Sequence, residues 1–164
     1  MIASTVMVVG VLATVGTMRA TSALGVSTRE TTLAYQAARA KVEELKAQPF
    51  EFVLVRHNED AADDPPGLAS PGVGFDVPGL DPVAGDADGL VGRLLFPENA
   101  GGELREDANQ PEFGLPADLD GDDVIGALDV TGTHILLPVR VRIEWTGQTG
   151  DRFMEFSTVL FRRE

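Results

Sequence analysis

Residues 28–48 read TRETTLAYQAARAKVEELKAQ, and this stretch decides the fold. It consists mainly of strong helix formers. Its apolar residues recur at the i, i+4, i+8, i+11 spacing that shares one face of an α-helix. They are Ala34, Ala38, Val42 and Leu45. Because Pro49 disfavours helical geometry at Gln48, the helix should end there. The sequence therefore predicts an amphipathic helix with one face to bury.

The preceding segment is uncharged through residue 18. It reads MIASTVMVVGVLATVGTM, and Arg19 is the first charged residue. As an α-helix it spans about 27 Å, against about 30 Å for the apolar part of a bilayer. No strong helix breaker follows, so we predict one helix over 1–48, with 1–27 as its transmembrane or filament-core part. Two helices joined near Gly25 are the alternative. A cleavable secretory signal is a second alternative, but it lacks a basic start and an Ala-x-Ala site.

The C-terminus predicts a β-hairpin. Val139, Val141, Ile143 and Trp145 alternate with polar residues, which is typical of a strand with one buried face. A compact turn and a return strand over 151–163 follow. Pro138 cannot donate to a ladder, so regular pairing should begin after it or lie at an edge. A hairpin alone is marginal and needs a second layer, which the amphipathic helix supplies. We therefore predict an α+β fold with three to five antiparallel strands.

The middle of the chain is strongly acidic. Residues 59–129 carry eighteen acidic and two basic side chains, whereas the whole chain has a net charge of −13. This balance argues against nucleic-acid binding, which needs clustered Lys and Arg. The chain has no cysteine and so no disulfide or thiol chemistry. We predict an acidic, loop-rich region over 59–134, with a long loop over 58–89. Residues 50–57 are predicted as a short strand or extended link, and 90–96 as a strand.

One acidic segment has the spacing of a calcium loop. Oxygen ligands at loop positions 1, 3, 5, 7 and 12 characterise an EF-hand-type loop, with a backbone carbonyl at position 7. The corresponding residues are Asp118, Asp120, Asp122, Val124 and Asp129. Position 6, where the sharp turn favours glycine, is Asp123. The sequence is thus compatible with an acidic solvated loop and with a calcium site formed by these five residues.

Three stretches resemble type IV pilin-like proteins, specifically PilV-like minor pilins or minor pseudopilins of type II secretion. The start MIASTVMVVGVLATVG resembles the apolar helix after a prepilin cleavage site. LAYQAARAKVEELKAQPF resembles the helix end of these minor subunits. VRVRIEWTGQTGDRFMEFSTVLF resembles their C-terminal hairpin. These stretches cover about a third of the chain, and residues 59–134 carry no resemblance.

The resemblance departs at the N-terminus. A typical family start runs GFTLIEVMIA, whereas this chain begins at Met-Ile-Ala, without the basic leader, the cleavage-site glycine and the glutamate. A start assigned at an internal methionine would explain the difference, and the missing residues are then expected upstream.

The resemblance implies a structural subunit and not an enzyme. It implies a single pass through the inner membrane by 1–27, with a pilin-like domain over 28–164 outside the cytoplasm. Its expected partners are other pilin or pseudopilin subunits, bound through the N-terminal helix. A signal-anchored or exported calcium-binding module without a filament role is the first alternative. A periplasmic enzyme is the second, and the sequence offers it no site.

Overall fold

A single long helix is the largest element of the fold. The computed structural model describes residues 2–60, 63–67, 70–148 and 150–162, with side chains of the first helix at 14–18 and from 21 on. Helix α1, Ile2–Ala47, has 46 residues and is about 69 Å long at about 1.5 Å per residue. It continues through Gly25 and ends beside Gln48. The prediction of one unbroken helix is confirmed.

Four strands form one antiparallel sheet. They lie in the order β1, Gly74–Phe75; β2, Gly92–Leu95; β3, Leu136–Gly147; and β4, Gly150–Phe161. The α+β class and the antiparallel sheet are confirmed, and four strands fall within the predicted range. The strand predicted over 90–96 is β2. The two-residue β1 lies inside the region predicted as a loop, and it forms by pairing with β2.

The hairpin of β3 and β4 has the longest strand pairing in the sheet. Its register runs from Leu136 opposite Phe161 to Gly147 opposite Gly150. Pro138 lies inside β3, opposite Val159, so pairing with β4 includes it. Pairing with β2 begins only after it, since the last pair joins Leu95 and Arg140.

The core lies between α1 and the sheet. The predicted apolar face of α1 is buried, and so is the predicted inner face of β3. The members are Ala34, Ala38, Val42 and Leu45 on the helix, and Val139, Val141, Ile143 and Trp145 on the strand. Small alanines in the middle of the helix face let its backbone approach the sheet closely. On the exposed face of the helix Glu43 pairs with Lys46 at 3.0 Å.

The strand or extended link predicted over 50–57 is wrong. The chain forms a 3₁₀ turn, Phe50–Phe52, and then a short helix α2, Val53–His57. Val53, Leu54 and His57 are buried, and their spacing puts them on one helical face. The β-branched and aromatic composition suggested a strand, but burial of this face against the core decides the conformation.

Candidate functional site

Helix α1 has two halves: a docked half, residues 27–47, which packs on the sheet, and a projecting half, residues 2–26. Docking begins where Trp145 Nε1 donates a hydrogen bond to Glu30 Oε2 at 3.3 Å and Arg152 donates to the Ser27 hydroxyl. Before this point, residues 14–18 are all exposed. A Cβ added at Gly16 or Gly25 would meet no atom within 4 Å. The side chains that the structure describes in this half, at 14–18 and from 21 on, are therefore largely uncovered.

The projecting half shows apolar side chains to its surroundings. Met18 is 65% exposed and Leu24 is 69% exposed, and Val15 is exposed as well. Within the described residues, no helix has both the length and the hydrophobicity needed to cross a membrane.

The predicted calcium loop folds as a series of tight turns closed by its own aspartates. The two carboxylate oxygens of Asp118 accept hydrogen bonds from the backbone N–H groups of Gly121, at 2.6 Å, and Asp123, at 2.9 Å. Asp122 accepts from the N–H of Val124 at 2.8 Å. Asp123 has φ 64°, so it adopts the left-handed conformation that glycine usually supplies at this loop position. The sharp turn is present although the glycine is not.

A glutamate from outside the loop ties these turns to the domain. Glu106 is only 2% exposed. Its Oε1 accepts hydrogen bonds from the backbone N–H groups of Leu119, at 2.7 Å, and Asp120, at 3.2 Å. Its Oε2 accepts from the N–H of Gly126 at 2.9 Å. One buried carboxylate thus satisfies three backbone donors of the loop.

Glu106 also completes a cluster of carboxylates. Glu106, Asp120 and Asp122 each place one oxygen so that the three lie within 4.8 Å of one another. Oxygens at such separations fit around a Ca²⁺ ion, whose ligands lie at about 2.3–2.6 Å. Partial burial raises the pKa of Asp120, and the negative charges of its acidic neighbours raise it further. A bound cation would relieve this repulsion.

Of the four side-chain ligands that the sequence predicts, the structure brings two together. Asp120 and Asp122 are in the cluster, and Asp118 uses both oxygens on backbone groups beside it. Val124, predicted to offer its backbone carbonyl, donates its N–H to Asp122. Asp129 lies elsewhere, where its Oδ1 accepts from the backbone N–H groups of Leu104 and Thr131. An EF-hand has a helix on each side of its calcium loop. No helix follows this loop in the described chain, so nothing brings Asp129, at position 12, back to the cluster.

The two histidines are parts of the core. His57 Nδ1 lies 3.3 Å from the carbonyl oxygen of Gly72, and its Nε2 lies 3.2 Å from the side-chain nitrogen of Gln48. His134 Nδ1 lies 3.2 Å from the carbonyl oxygen of Val130, and its ring centre is 5.0 Å from that of Phe50. Burial lowers the pKa of both imidazoles. They lie in separate places and form no joint site.

A second acidic group lies in a cavity that sequence reasoning missed. The cavity has a volume of about 500 Å³ and is lined by Asn58, Leu94 and Glu98, among others. Burial raises the pKa of Glu98 to about 7, although Asn58 donates a hydrogen bond to it, and the charges of Asp63 and Asp60 raise it further. Glu98 stands alone between Pro97 and Asn99, so no local pattern marks it.

Glu98 should make stability depend on pH. Because its folded pKa is about 7 and its ordinary value is 4.5, the folded state binds the proton more tightly. Its contribution is complete below pH 4.5 and is lost as the pH rises toward 7. Relative to the parent, Glu98→Gln should therefore gain about 1–2 kcal/mol of unfolding free energy between about pH 5 and about pH 8.

Urea unfolding of both proteins across this range measures the effect. The histidines act in the opposite sense, but they are common to both proteins and cancel in the difference. The exposed Glu112→Gln, which removes the same charge, should give a difference that does not vary with pH. If the unfolding free energies of Glu98→Gln and the parent differed by the same amount at every pH, the burial of this carboxyl would be contradicted.

Comparison with protein-family models, with curated proteins and with solved structures finds no match for this chain.

Proposed function

We propose that this chain is a structural subunit of a filament: a minor pilin or pseudopilin of a type IV pilus or of a type II secretion system. Before assembly it is anchored in the inner membrane by residues 1–27, with residues 28–164 outside the cytoplasm. The observation that carries the proposal is α1, which runs unbroken from Ile2 to Ala47 and has a docked half and a projecting half. The finer description of the α+β fold proposed here is pilin-like.

The projecting half needs a partner of its own. Most helical stability in proteins comes from packing, which the described contacts do not give to this half. Its exposed Met18 and Leu24 would gain by burial against lipid or against other helices. Small residues at Gly10, Ala13 and Gly16 would let a second helix approach closely, as in helix pairs in lipid. The proposed partners are the equivalent helices of other subunits.

Placing a charge in the first half of α1 tests the membrane step. Val8→Asp should reduce flotation of the full chain with vesicles of phosphatidylethanolamine and phosphatidylglycerol by about 100-fold, because a central carboxylate costs about 2.5–3.5 kcal/mol in a membrane helix. Thr31→Asp places the same charge on an exposed position of the docked half, and it should float like the parent. Equal flotation of Val8→Asp and the parent would count against anchoring.

Cysteine cross-linking tests the assembly step, because the chain has no cysteine of its own. Gly16→Cys should form disulfide-linked pairs when the protein is reconstituted in vesicles. Arg39→Cys, on the exposed face of the docked half, should stay monomeric. Exclusively monomeric Gly16→Cys would remove helix-mediated assembly from the proposal.

Calcium binding is the second candidate function, favoured by the cluster of Glu106, Asp120 and Asp122. It fits an exported calcium-binding module without a filament role, and it also fits a filament subunit whose acidic loop is held by the ion. The residues proposed as ligands are these three. The donor set is all oxygen, which suits Ca²⁺ better than a transition metal.

Thermal unfolding with added calcium distinguishes the structural ligand set from the sequence-based one. Calcium at about 100 times its dissociation constant should raise the melting temperature by about 5–10 °C. Asp120→Asn combined with Asp122→Asn should abolish this rise, whereas Asp129→Asn should lower the starting temperature and keep the rise. If Asp129→Asn also lost the rise, the ligand set predicted from the EF-hand-type spacing would be favoured. No rise in the melting temperature of the parent at millimolar calcium would exclude the site.

A further inference from the structure

The cavity around Glu98 combines apolar walls with a carboxylate. Its volume of about 500 Å³ lies within the range of about 300–1,000 Å³ that is usual for small-ligand sites. Val73, Leu94 and Phe96 supply its apolar surface. Leu94 is a buried core residue and Phe96 packs against the core, so these walls are held in place by the fold. A ligand with an apolar part would gain by burial there.

Three carboxylates line this cavity. Glu98 is half-buried in it, and Glu59 and Asp60 are exposed beside it. Among the described residues that line the cavity there is no lysine and no arginine. Arg93 lies 3.4 Å from Glu59, but it also pairs with Asp88 at 3.0 Å, so it neutralises the cavity only in part. The balance of charge therefore favours a cation over an anion.

Several hydrogen-bond donors of the walls are already engaged within the walls. Both bonds of the Asn58 side-chain NH₂ group go to carboxylates, at 2.8 and 3.4 Å, and the second of these is Glu98. The backbone N–H groups of Gly101 and Gly102 both bond to Asn99. A carboxylate can accept several hydrogen bonds, whereas these donors have none left to give. The cavity therefore offers acceptors, and its ligand should supply the donors.

The carboxylates of the cavity do not form a compact metal site. In the described chain, the carboxylate oxygens that lie close enough together to hold a metal ion are those of Glu106, Asp120 and Asp122, and none of these residues lines the cavity. A larger cation suits it better. An alkylammonium ion combines one positive charge and three N–H donors with an apolar stem.

We infer that this cavity binds an alkylammonium group, with the ammonium at Glu98 and the stem against the apolar walls. The group belongs either to a free amine or to a lysine side chain of another protein, since both present the same chemistry. The cavity shares no lining residue with the projecting half of α1 or with the carboxylate cluster of Glu106. The inference therefore stands or falls separately from filament assembly and from calcium binding.

Binding should release a proton from Glu98. Burial raises the pKa of this carboxyl to about 7, and the charges that face it are those of Asp63, Asp60 and Glu59. An ammonium group beside it favours the ionised form. Because the free carboxyl is mostly protonated at pH 6 and mostly ionised at pH 8, the affinity should rise about tenfold across this interval.

Isothermal titration calorimetry of the full chain in a non-ionic detergent tests the inference with n-butylammonium. At pH 8 this ion should bind with a dissociation constant of about 1 mM or lower, at least about tenfold more tightly than n-butanol, which has the same stem without the charge. Its affinity should be about tenfold lower at pH 6. Equal binding of the two compounds, or no binding of n-butylammonium at about 10 mM, would overturn the inference.

A third compound separates the two sources of the ammonium group. Nα-acetyl-lysine methylamide carries the same alkylammonium group on a peptide backbone. Tighter binding of this compound than of n-butylammonium would assign the cavity to a lysine of a partner protein. Weaker binding would assign it to a free amine, because the backbone would then obstruct entry.

Variants of the cavity separate this site from general attraction to an acidic chain. Glu98→Gln keeps the shape of the side chain and removes its charge. At pH 8 it should weaken binding at least about tenfold, and its affinity should no longer change between pH 6 and pH 8. Asp60→Asn should weaken binding less, because this carboxylate is exposed and screened. Glu112→Gln, an exposed change of the same charge outside the cavity, should bind like the parent. Parent-like affinity of Glu98→Gln, or equal weakening by Glu112→Gln, would contradict a site at Glu98.

Discussion

Replacing Glu106 by alanine should lower the free energy of unfolding by about 3–5 kcal/mol. The carboxylate is buried and accepts hydrogen bonds from the N–H groups of Leu119, Asp120 and Gly126. Each donor that loses its acceptor away from water costs about 1–3 kcal/mol, and the relief of burying a carboxylate offsets part of the sum. Urea unfolding followed by circular dichroism measures the loss.

Two further variants make this prediction specific. Glu106→Gln keeps the shape of the side chain, but its NH₂ group must face one of the backbone donors. It should therefore recover only part of the stability that Glu106→Ala loses. Glu112→Gln, an exposed change of equal charge, should stay within about 0.5 kcal/mol of the parent. Parent-like stability of Glu106→Ala would mean that the loop does not depend on this carboxylate.

Truncation of Trp145 should have a comparable effect for a different reason. The side chain is buried between β3 and α1, so Trp145→Ala should cost about 3–5 kcal/mol through lost burial and the cavity left behind. Trp145→Phe keeps most of the ring but loses the hydrogen bond to Glu30, and it should cost about 1–2 kcal/mol. Because this is the only tryptophan, unfolding must be followed by circular dichroism.

The effect should also be visible in α1. With Trp145→Ala, amides of the helix near Ser27 should exchange faster, since the bond that begins the docked half is gone. Tyr35→Ala removes a half-exposed aromatic side chain from the helix and should change stability by less than about 0.5 kcal/mol. Equal losses of stability in Trp145→Ala and Tyr35→Ala would show that the size of the residue, and not its burial, sets the loss.

The parts of the fold with a regular period could be predicted from the sequence. The face of α1 that contains Ala38 and Leu45, and the face of β3 that contains Val141 and Trp145, repeat with the period of their own element. Burial of one face is then enough to place each element against the other. Residues 50–57 were mispredicted because their composition favours a strand, whereas the helical spacing of three buried residues decides.

The acidic cluster could be predicted only in part. Asp120 and Asp122 lie close in sequence, and local turns bring them together. Glu106 reaches them only because the chain folds back, and no spacing rule covers that contact. No local pattern marks Glu106, whose burial is known only from the structure. Asp129 was assigned through a rule that assumes a following helix.

The docked half of α1 runs alongside β4, from the tip of the hairpin, where Ser27 meets Arg152, to its base, where Leu45 and Leu160 share a cavity. A pull on the projecting half therefore acts along the strands. Such a load is a shear force. The whole buried face of α1 and the contacts at the hairpin tip resist it together. A pull across the strands would peel the contacts apart one at a time. In this geometry the contacts of the docked half should resist a load along the axis of α1 better than a load across it.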